Sequence, residues 1–126
     1  MKKSLLLLAA LACTGAVAQE KEIWACQTEA GTQLLWEDGR WNSYRVTDNQ
    51  LLLTLDGANS TYKIGSNTSE LTCTDVFGKI SCFATYTGSQ NIFFDPDSGR
   101  MGMSYLFGAV IRADSVAAQV YNCTKF

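Results

Sequence analysis

The chain has 126 residues, which is the size of a single domain. Its residues are 47% hydrophobic and 17% charged, a composition that excludes a disordered tail and a coiled coil. A formal net charge of -2 argues against a nucleic-acid partner, because proteins that bind nucleic acid need a basic surface. The absence of histidine removes Ser–His and Cys–His dyads and His-ligated zinc, so we expect no enzyme, no cofactor and no metal site.

The first eighteen residues have the features of an export signal. Lys2 and Lys3 precede an apolar run at residues 4–12, and Ala16-Val17-Ala18 supplies the small residues that a signal peptidase requires. The apolar run is far shorter than the roughly 20 residues that span a bilayer as a helix. We therefore predict a cleaved signal peptide at residues 1–18 and a periplasmic or secreted protein.

The predicted mature chain is a single domain, residues 19–126, that begins at Gln19. It has no other apolar run long enough to span a membrane as a helix, so we expect no transmembrane segment after cleavage. Lipidation of Cys13, which follows Leu11-Ala12, is the alternative processing and would add a membrane anchor.

The four cysteines of the mature chain are predicted to form two disulfides, because an even number in a small exported domain indicates bridges rather than metal. They are Cys26, Cys73, Cys82 and Cys123. A two-residue turn at Phe77-Gly78 would place Cys73 opposite Cys82, with Cα atoms about 4.5 Å apart. Phe-Gly is not a favoured turn pair, and a bulged turn would shift that register by one residue. The remaining pair, Cys26 with Cys123, would bring the first and last strands together, as a closed barrel requires.

Short strand-like runs recur along the mature chain between turn residues, and no segment shows a sustained helical period. The runs are residues 22–27, 32–37, 40–46, 50–56, 61–64, 71–76, 80–87, 91–94, 100–107 and 115–124. The stretch 109–118 is ambiguous and is compatible with one helical turn. The regular spacing predicts an all-β fold, a small antiparallel meander of about eight strands that closes into a disulfide-braced barrel.

Two predicted hairpins assign the tryptophans to the outer surface. Asp38-Gly39 is a strong type I′ signal that pairs Trp36 with Trp41, and a second hairpin at Asp48-Asn49 would pair strand 40–46 with strand 50–56. One face of this arrangement is largely apolar and is the expected core. It carries Leu35, Asn42, Tyr44, Val46, Leu51, Leu53 and Leu55. The tryptophan pair would then lie on the outside, near Arg45.

Trp36, Trp41 and Arg45 are therefore the candidate binding surface. Tryptophan and arginine are enriched among interface anchors, and two tryptophans on a polar face expose a large apolar area. In the alternative, structural role, the pair only stabilises its hairpin, by up to about 1 kcal/mol. A register slip of one residue would place both rings in the core.

The segment Asp95-Pro96-Asp97-Ser98-Gly99 has the acidic spacing with which a calcium loop begins. Pro96 separates the two aspartates, and Leu106 stands where a bidentate glutamate is required. We therefore predict a proline-containing hairpin turn at this position.

The chain resembles the small periplasmic inhibitors of C-type lysozyme in its architecture. The likeness is carried by an early cysteine, Cys26, the strand end Leu55-Asp56-Gly57 and a late cysteine, Cys123. In that family the inhibitory loop begins with Ser-Gly and has a tyrosine three residues after the glycine, whereas here Ser98-Gly99 is followed at that position by Gly102. The resemblance implies the class of barrel, and no inhibitory residue carries over.

We expect an exported, non-enzymatic β-barrel that binds another protein in the cell envelope, as an inhibitor or immunity-type protein acting on an envelope hydrolase. The alternatives are a structural envelope protein and a carrier of a small apolar ligand with a lipocalin-like interior. The carrier would hold its ligand among Tyr44, Leu53, Tyr62, Met103 and Tyr105.

Overall fold

The structure is a computed structural model, and it describes residues 20–86, 90–106 and 115–126. The predicted signal peptide, Cys13 and residues 109–114 of the ambiguous stretch lie outside the described residues. The described residues include no helix that could span a lipid bilayer.

The described residues form nine strands and one short 3-10 helix, and every strand pairing is antiparallel. The strands are β1 (Glu22–Glu37), β2 (Arg40–Arg45), β3 (Gln50–Leu55), β4 (Thr61–Ile64), β5 (Asn67–Val76), β6 (Lys79–Ala84), β7 (Gln90–Asp95), β8 (Arg100–Tyr105) and β9 (Ser115–Lys125), and the helix is Gly57–Asn59. The meander is consistent with the short, β-branched runs and turn residues of the sequence.

Eight of these strands close into a barrel, which confirms the predicted fold. The sheet runs from β1 through β3 to β9 in chain order, and β9 pairs again with β1 along residues 24–35. Each described strand of the ring is therefore paired on both sides. Among the described strands, β2 pairs with β1 alone, so it is an additional strand outside the ring.

The predicted pairing of strand 40–46 with strand 50–56 is wrong. Both β2 and β3 run antiparallel to β1, so the segment around Asp48-Asn49 does not reverse the chain. Instead β3 pairs with residues 22–27 of β1 and β2 with residues 32–37. The two predicted strands at the start of the domain are one continuous β1, with a bulge between Thr28 and Ala30 where the segment crosses.

The other two predicted two-residue turns, at Asp38-Gly39 and Phe77-Gly78, are confirmed. Asp38 and Gly39 both have positive φ, as a type I′ turn requires, and Trp36 pairs with Trp41. Phe77 and Gly78 also both have positive φ, although Phe-Gly is an unfavoured pair. The side chain of Asp75 accepts a hydrogen bond from the Gly78 amide at 3.1 Å, which supports the turn.

Both predicted disulfides are present. Cys26 is bonded to Cys123, with Cα atoms 4.0 Å apart, and Cys73 is bonded to Cys82, with Cα atoms 4.1 Å apart. Each bridge joins residues that are directly opposite in neighbouring strands. The first of them ties β1 to β9 at the closure of the barrel.

The core fills the interior around the Cys26–Cys123 bridge. It contains Trp24, Cys26, Leu51, Leu53, Tyr62, Leu71, Cys82, Ile92, Phe94, Met101, Tyr121 and Cys123. Trp24 and Phe94 meet edge to face, with ring centroids 4.9 Å apart. Leu51 and Leu53 lie in the core as predicted, but Asn42 and Tyr44 do not, because β2 lies outside the closed ring.

Candidate functional site

The predicted tryptophan pair exists as a cross-strand contact on the β1–β2 hairpin. The ring centroids of Trp36 and Trp41 lie 5.3 Å apart, with the ring planes at 68°. Such an edge-to-face contact stabilises a hairpin by about 0.5–1.5 kcal/mol beyond the area it buries. Both side chains are half-buried, so part of each ring remains in contact with solvent.

The pair lies on the outer face of the barrel. The inner face of β1 carries Cys26 before the bulge and Gln33 after it, because the extra residue shifts the alternation of side chains. Thr32, Leu34 and Trp36 therefore point outward. Strand β2 continues this face through its alternate residues, from Trp41 to Arg45.

Arg45 lies at the junction between the hairpin and the barrel wall, opposite Thr32. Its side chain is exposed and forms no ion pair with any described residue. A guanidinium in this position can pair with a carboxylate of a partner in a bidentate geometry. The structure thus brings Arg45 onto the same face as the two tryptophans, as the sequence predicts.

Arg45 also forms one wall of a groove that the sequence did not predict. The groove has a volume of about 720 Å³ and runs across β7, β8, β9 and β1. Its lining comprises Ala30, Gly31, Thr32, Arg45, Asn91, Phe93, Gly102, Met103, Ser104, Ala118, Gln119 and Val120. Arg45 is the one charged residue among these lining residues.

The shape of the groove follows from the register of one cross-strand row. Phe93 lies opposite Gly102, Gly102 lies opposite Val120, and Val120 lies opposite Ala30. Gly102 has no side chain, and a Cβ at this position would have no atom within 4 Å. The surface is therefore depressed at Gly102, between the side chains of Phe93, which is 63% exposed, and Val120, which is 47% exposed.

We use the term outer face for this groove together with the tryptophan pair. Sequence reasoning missed Phe93, Gly102 and Val120, since their proximity depends on the register of four strands. Gly102 is the one signal that could have indicated the groove, because a glycine inside a strand often marks a close approach.

Three of the five residues proposed for an apolar ligand, Tyr62, Met103 and Tyr105, line one cavity inside the barrel, whereas Leu53 and Tyr44 do not. Leu53 and Tyr62 are buried in the packed core, while Met103 and Tyr105 are only half-buried. Tyr44 is on the β1–β2 hairpin outside the ring, with 45% of its surface exposed. Its hydroxyl donates a hydrogen bond to the Glu37 carboxylate at 2.6 Å, and this bond raises the pKa of Tyr44.

The acidic segment before Gly99 forms the turn between β7 and β8, as predicted. Lys79 reaches across from β6 and lies 2.6 Å from a carboxylate oxygen of Asp95 and 3.5 Å from one of Asp97. The hydrogen bonds from Lys79 and from the Ser98 hydroxyl lower the pKa of Asp95 to about 2. Among the residues that the structure describes, no group of three or more acidic or cysteine side chains is arranged to hold a metal ion.

Comparison with known proteins identifies no relative of this chain. No protein-family model matches it, and neither does a curated protein or a solved structure.

Proposed function

We propose that the protein is an exported, non-enzymatic binding module that holds another cell-envelope protein on its outer face. In this proposal it acts as an inhibitor or immunity-type protein towards an envelope hydrolase. The observation that carries the proposal is the continuity of the outer face from the tryptophan pair through Arg45 to the groove.

The composition of the outer face supports a protein partner. The centres of protein interfaces are depleted in charge and enriched in aromatic residues and arginine. Here Trp36, Trp41 and Phe93 supply partly exposed aromatic rings, and Arg45 is the single charge along the groove. We therefore expect a partner that offers an apolar ridge to the groove and a carboxylate to Arg45.

The two disulfides support an exported binding protein. Such bridges persist in oxidising compartments, and here both lie in the barrel, away from the outer face. The outer face is thus presented on a braced scaffold, which limits the entropy lost when a partner binds.

The test compares capture of partners by the parent protein and by surface variants. The full chain is expressed with its own signal, and the exported protein is purified, immobilised and exposed to an envelope extract. The variant Trp36→Ala/Trp41→Ala removes the ring pair, and Arg45→Glu reverses the charge beside the groove. Phe77→Ala is the matched control, because Phe77 is 99% exposed but lies on the β5–β6 turn.

We expect one protein to be retained by the parent and by the control. Its binding to each of the two surface variants should be lost or at least tenfold weaker. Each variant must keep its two disulfides and a cooperative melting transition, which we expect because β2 is outside the ring. Retention of the same protein by all four would contradict the proposal. If the protein retained by the parent is a hydrolase, its activity is measured with and without the parent. A lower activity with the parent distinguishes an inhibitor from a protein that only binds.

A further inference from the structure

A second cavity opens inside the barrel, beside the packed core, to which its lining residue Tyr62 also belongs. It has a volume of about 510 Å³. The lining residues are Gln33, Tyr62, Ile64, Ser69, Gln90, Met103, Tyr105, Ser115, Ala117 and Gln119. They come from β1, β4, β5, β7, β8 and β9, so the cavity is enclosed by strands around most of the ring. It adjoins the groove of the outer face, because Met103 and Gln119 line both.

The cavity is polar and carries no charge among its described lining residues. Three glutamines face it, Gln33, Gln90 and Gln119, together with hydroxyl groups of tyrosine and serine. The core cluster beside it is hydrophobic. Side chains that fill a small barrel are normally apolar, so three amides on its inner face need a partner or water.

Two tyrosines orient two of these amides. The hydroxyl of Tyr62 donates to Oε1 of Gln90, and the hydroxyl of Tyr121 donates to Oε1 of Gln119. Burial raises the pKa of Tyr121, so its hydroxyl remains protonated and continues to donate. With their oxygens accepting from tyrosine, the amides of Gln90 and Gln119 keep their N–H groups as donors.

Gln33 contributes the third amide. Its side chain forms no hydrogen bond with any described residue, so its N–H groups and its oxygen are all available to a ligand. Gln33 lies opposite Ala117 on β9, whose small side chain leaves the space in front of the amide open.

The chemistry of the lining selects the class of ligand. An apolar molecule would desolvate these amides without replacing their hydrogen bonds, at a cost of about 1–3 kcal/mol for each group. An ion would lack a counter-charge among the described lining residues. A polyhydroxylated, uncharged molecule can both donate and accept hydrogen bonds, and its C–H faces can pack on the tyrosine rings. The volume lies within the range of about 300–1,000 Å³ that is typical of small-ligand sites.

We infer that this cavity is a binding site for a small neutral saccharide, held by the amides of Gln33, Gln90 and Gln119. The inference does not rest on the proposed protein partner, since Gln33 and Gln90 lie outside the groove of the outer face. The barrel would thus have two sites, one inside and one outside.

The test is a nuclear magnetic resonance titration of the isotope-labelled, disulfide-bonded protein. The probes are glucose, N-acetylglucosamine and maltose, with decanoate as the apolar probe and phosphate as the charged probe. We expect at least one saccharide to shift the side-chain amide signals of the three glutamines in a saturable manner. Decanoate and phosphate should leave these signals unchanged.

Substitutions locate the site. Gln33→Leu and Gln90→Leu should each weaken saccharide binding about tenfold, which corresponds to the loss of one hydrogen bond of roughly 1.4 kcal/mol. Ala117→Phe should abolish binding by filling the cavity while every amide is retained. Gln27→Leu is the control, because Gln27 is exposed on the outer side of β1, and it should bind as the parent does.

Three results would overturn the inference. They are binding of decanoate in place of every saccharide, the absence of binding by all probes, and saccharide shifts confined to the indole signals of Trp36 and Trp41. The last result would place the sugar on the outer face instead. Melting curves of the variants, recorded without probe, separate a lost site from a lost fold.

Discussion

At the scale of single residues, Phe77 combines full exposure with a backbone conformation that disfavours it. Its side chain is 99% exposed and its φ is 53°, in the left-handed region. This conformation costs an ordinary L-residue about 1–2 kcal/mol, and asparagine tolerates it far better than phenylalanine does. The side chain recovers none of this cost by burial, so the turn is less stable than its geometry allows.

We expect Phe77→Asn to raise the free energy of unfolding by about 1 kcal/mol, because Asn-Gly is the preferred type I′ pair. For a domain of this size that corresponds to a melting temperature higher by roughly 4–8 °C. Phe77→Ala removes the ring but keeps the unfavourable φ, so its melting temperature should change little. A lower melting temperature for the asparagine variant would mean that Phe77 makes a stabilising contact.

Gly99 is held by a close approach to the last strand. A Cβ atom at this position would lie 2.3 Å from the carbonyl oxygen of Cys123, and the φ of Gly99 is +73°. The Gly99 carbonyl in turn accepts a hydrogen bond from the Cys123 amide at 2.7 Å. The β7–β8 turn therefore packs directly on β9 and admits no side chain here.

Gly99→Ala should lower the free energy of unfolding by more than about 4 kcal/mol, since backbone must move to admit the methyl group. Gly65→Ala is the matched control, because Gly65 also has a positive φ but has no atom within 4 Å of its Cβ position. It should lose only about 1 kcal/mol. Chemical denaturation of both variants measures the difference, and equal losses would contradict the role of the close approach.

At the scale of elements, an ion pair joins the β5–β6 hairpin to the β7–β8 turn. Lys79 at the start of β6 pairs with Asp95 at the end of β7, and Ser98 donates to the same carboxylate at 2.7 Å. These contacts hold two neighbouring turns together at one end of the barrel. They are exposed, so salt should weaken them.

The pH dependence of stability should report this contact. The pKa of Asp95 is lowered from 3.8 to about 2 in the folded protein, so its contribution to stability is present above about pH 4 and is lost as the pH falls towards 2. Asp95→Asn should melt below the parent at pH 6, and most of this difference should be gone at pH 2. Asp97→Asn, which removes a longer contact, should show a smaller difference at pH 6. A constant difference between parent and Asp95→Asn across this range would contradict the assignment.

At the scale of the whole molecule, the ring closes between β1 and β9, and the Cys26–Cys123 bridge spans this closure with a separation of 97 residues. The Cys73–Cys82 bridge spans only 9 residues inside one hairpin. In the chain-entropy model the stabilisation grows with the logarithm of the enclosed loop. The longer bridge should therefore contribute more to the stability of the barrel.

We expect Cys26→Ala/Cys123→Ala to cost about 4.7 kcal/mol and Cys73→Ala/Cys82→Ala about 2.7 kcal/mol, before any cost of the smaller side chains. Urea denaturation of the two double variants shows which disulfide contributes more to the free energy of unfolding. Equal costs, or a larger cost for the shorter bridge, would show that strain or residual structure outweighs loop entropy.

The local geometry of the hairpins could be predicted from the sequence alone. Two-residue turns at Asp38-Gly39 and Phe77-Gly78 set the register of their hairpins, since residues counted outward from a short turn must lie opposite each other. That counting placed Trp36 against Trp41 and Cys73 against Cys82. The even cysteine count and the repeated short strands then indicated a disulfide-braced barrel.

The arrangement of strands that are distant in sequence could not be predicted in this way, because it depends on tertiary contacts. Turn residues at Asp48-Asn49 are compatible with a reversal of the chain and also with the observed path of the chain past the bulge of β1. Backbone hydrogen bonds with β1 determine which of the two forms. The groove at Gly102 and the cavity lined by Gln33, Gln90 and Gln119 each combine several strands whose pairings span much of the chain. Such positions depend on the register around the whole closed ring, and that register is set by packing of the core rather than by any local run of residues.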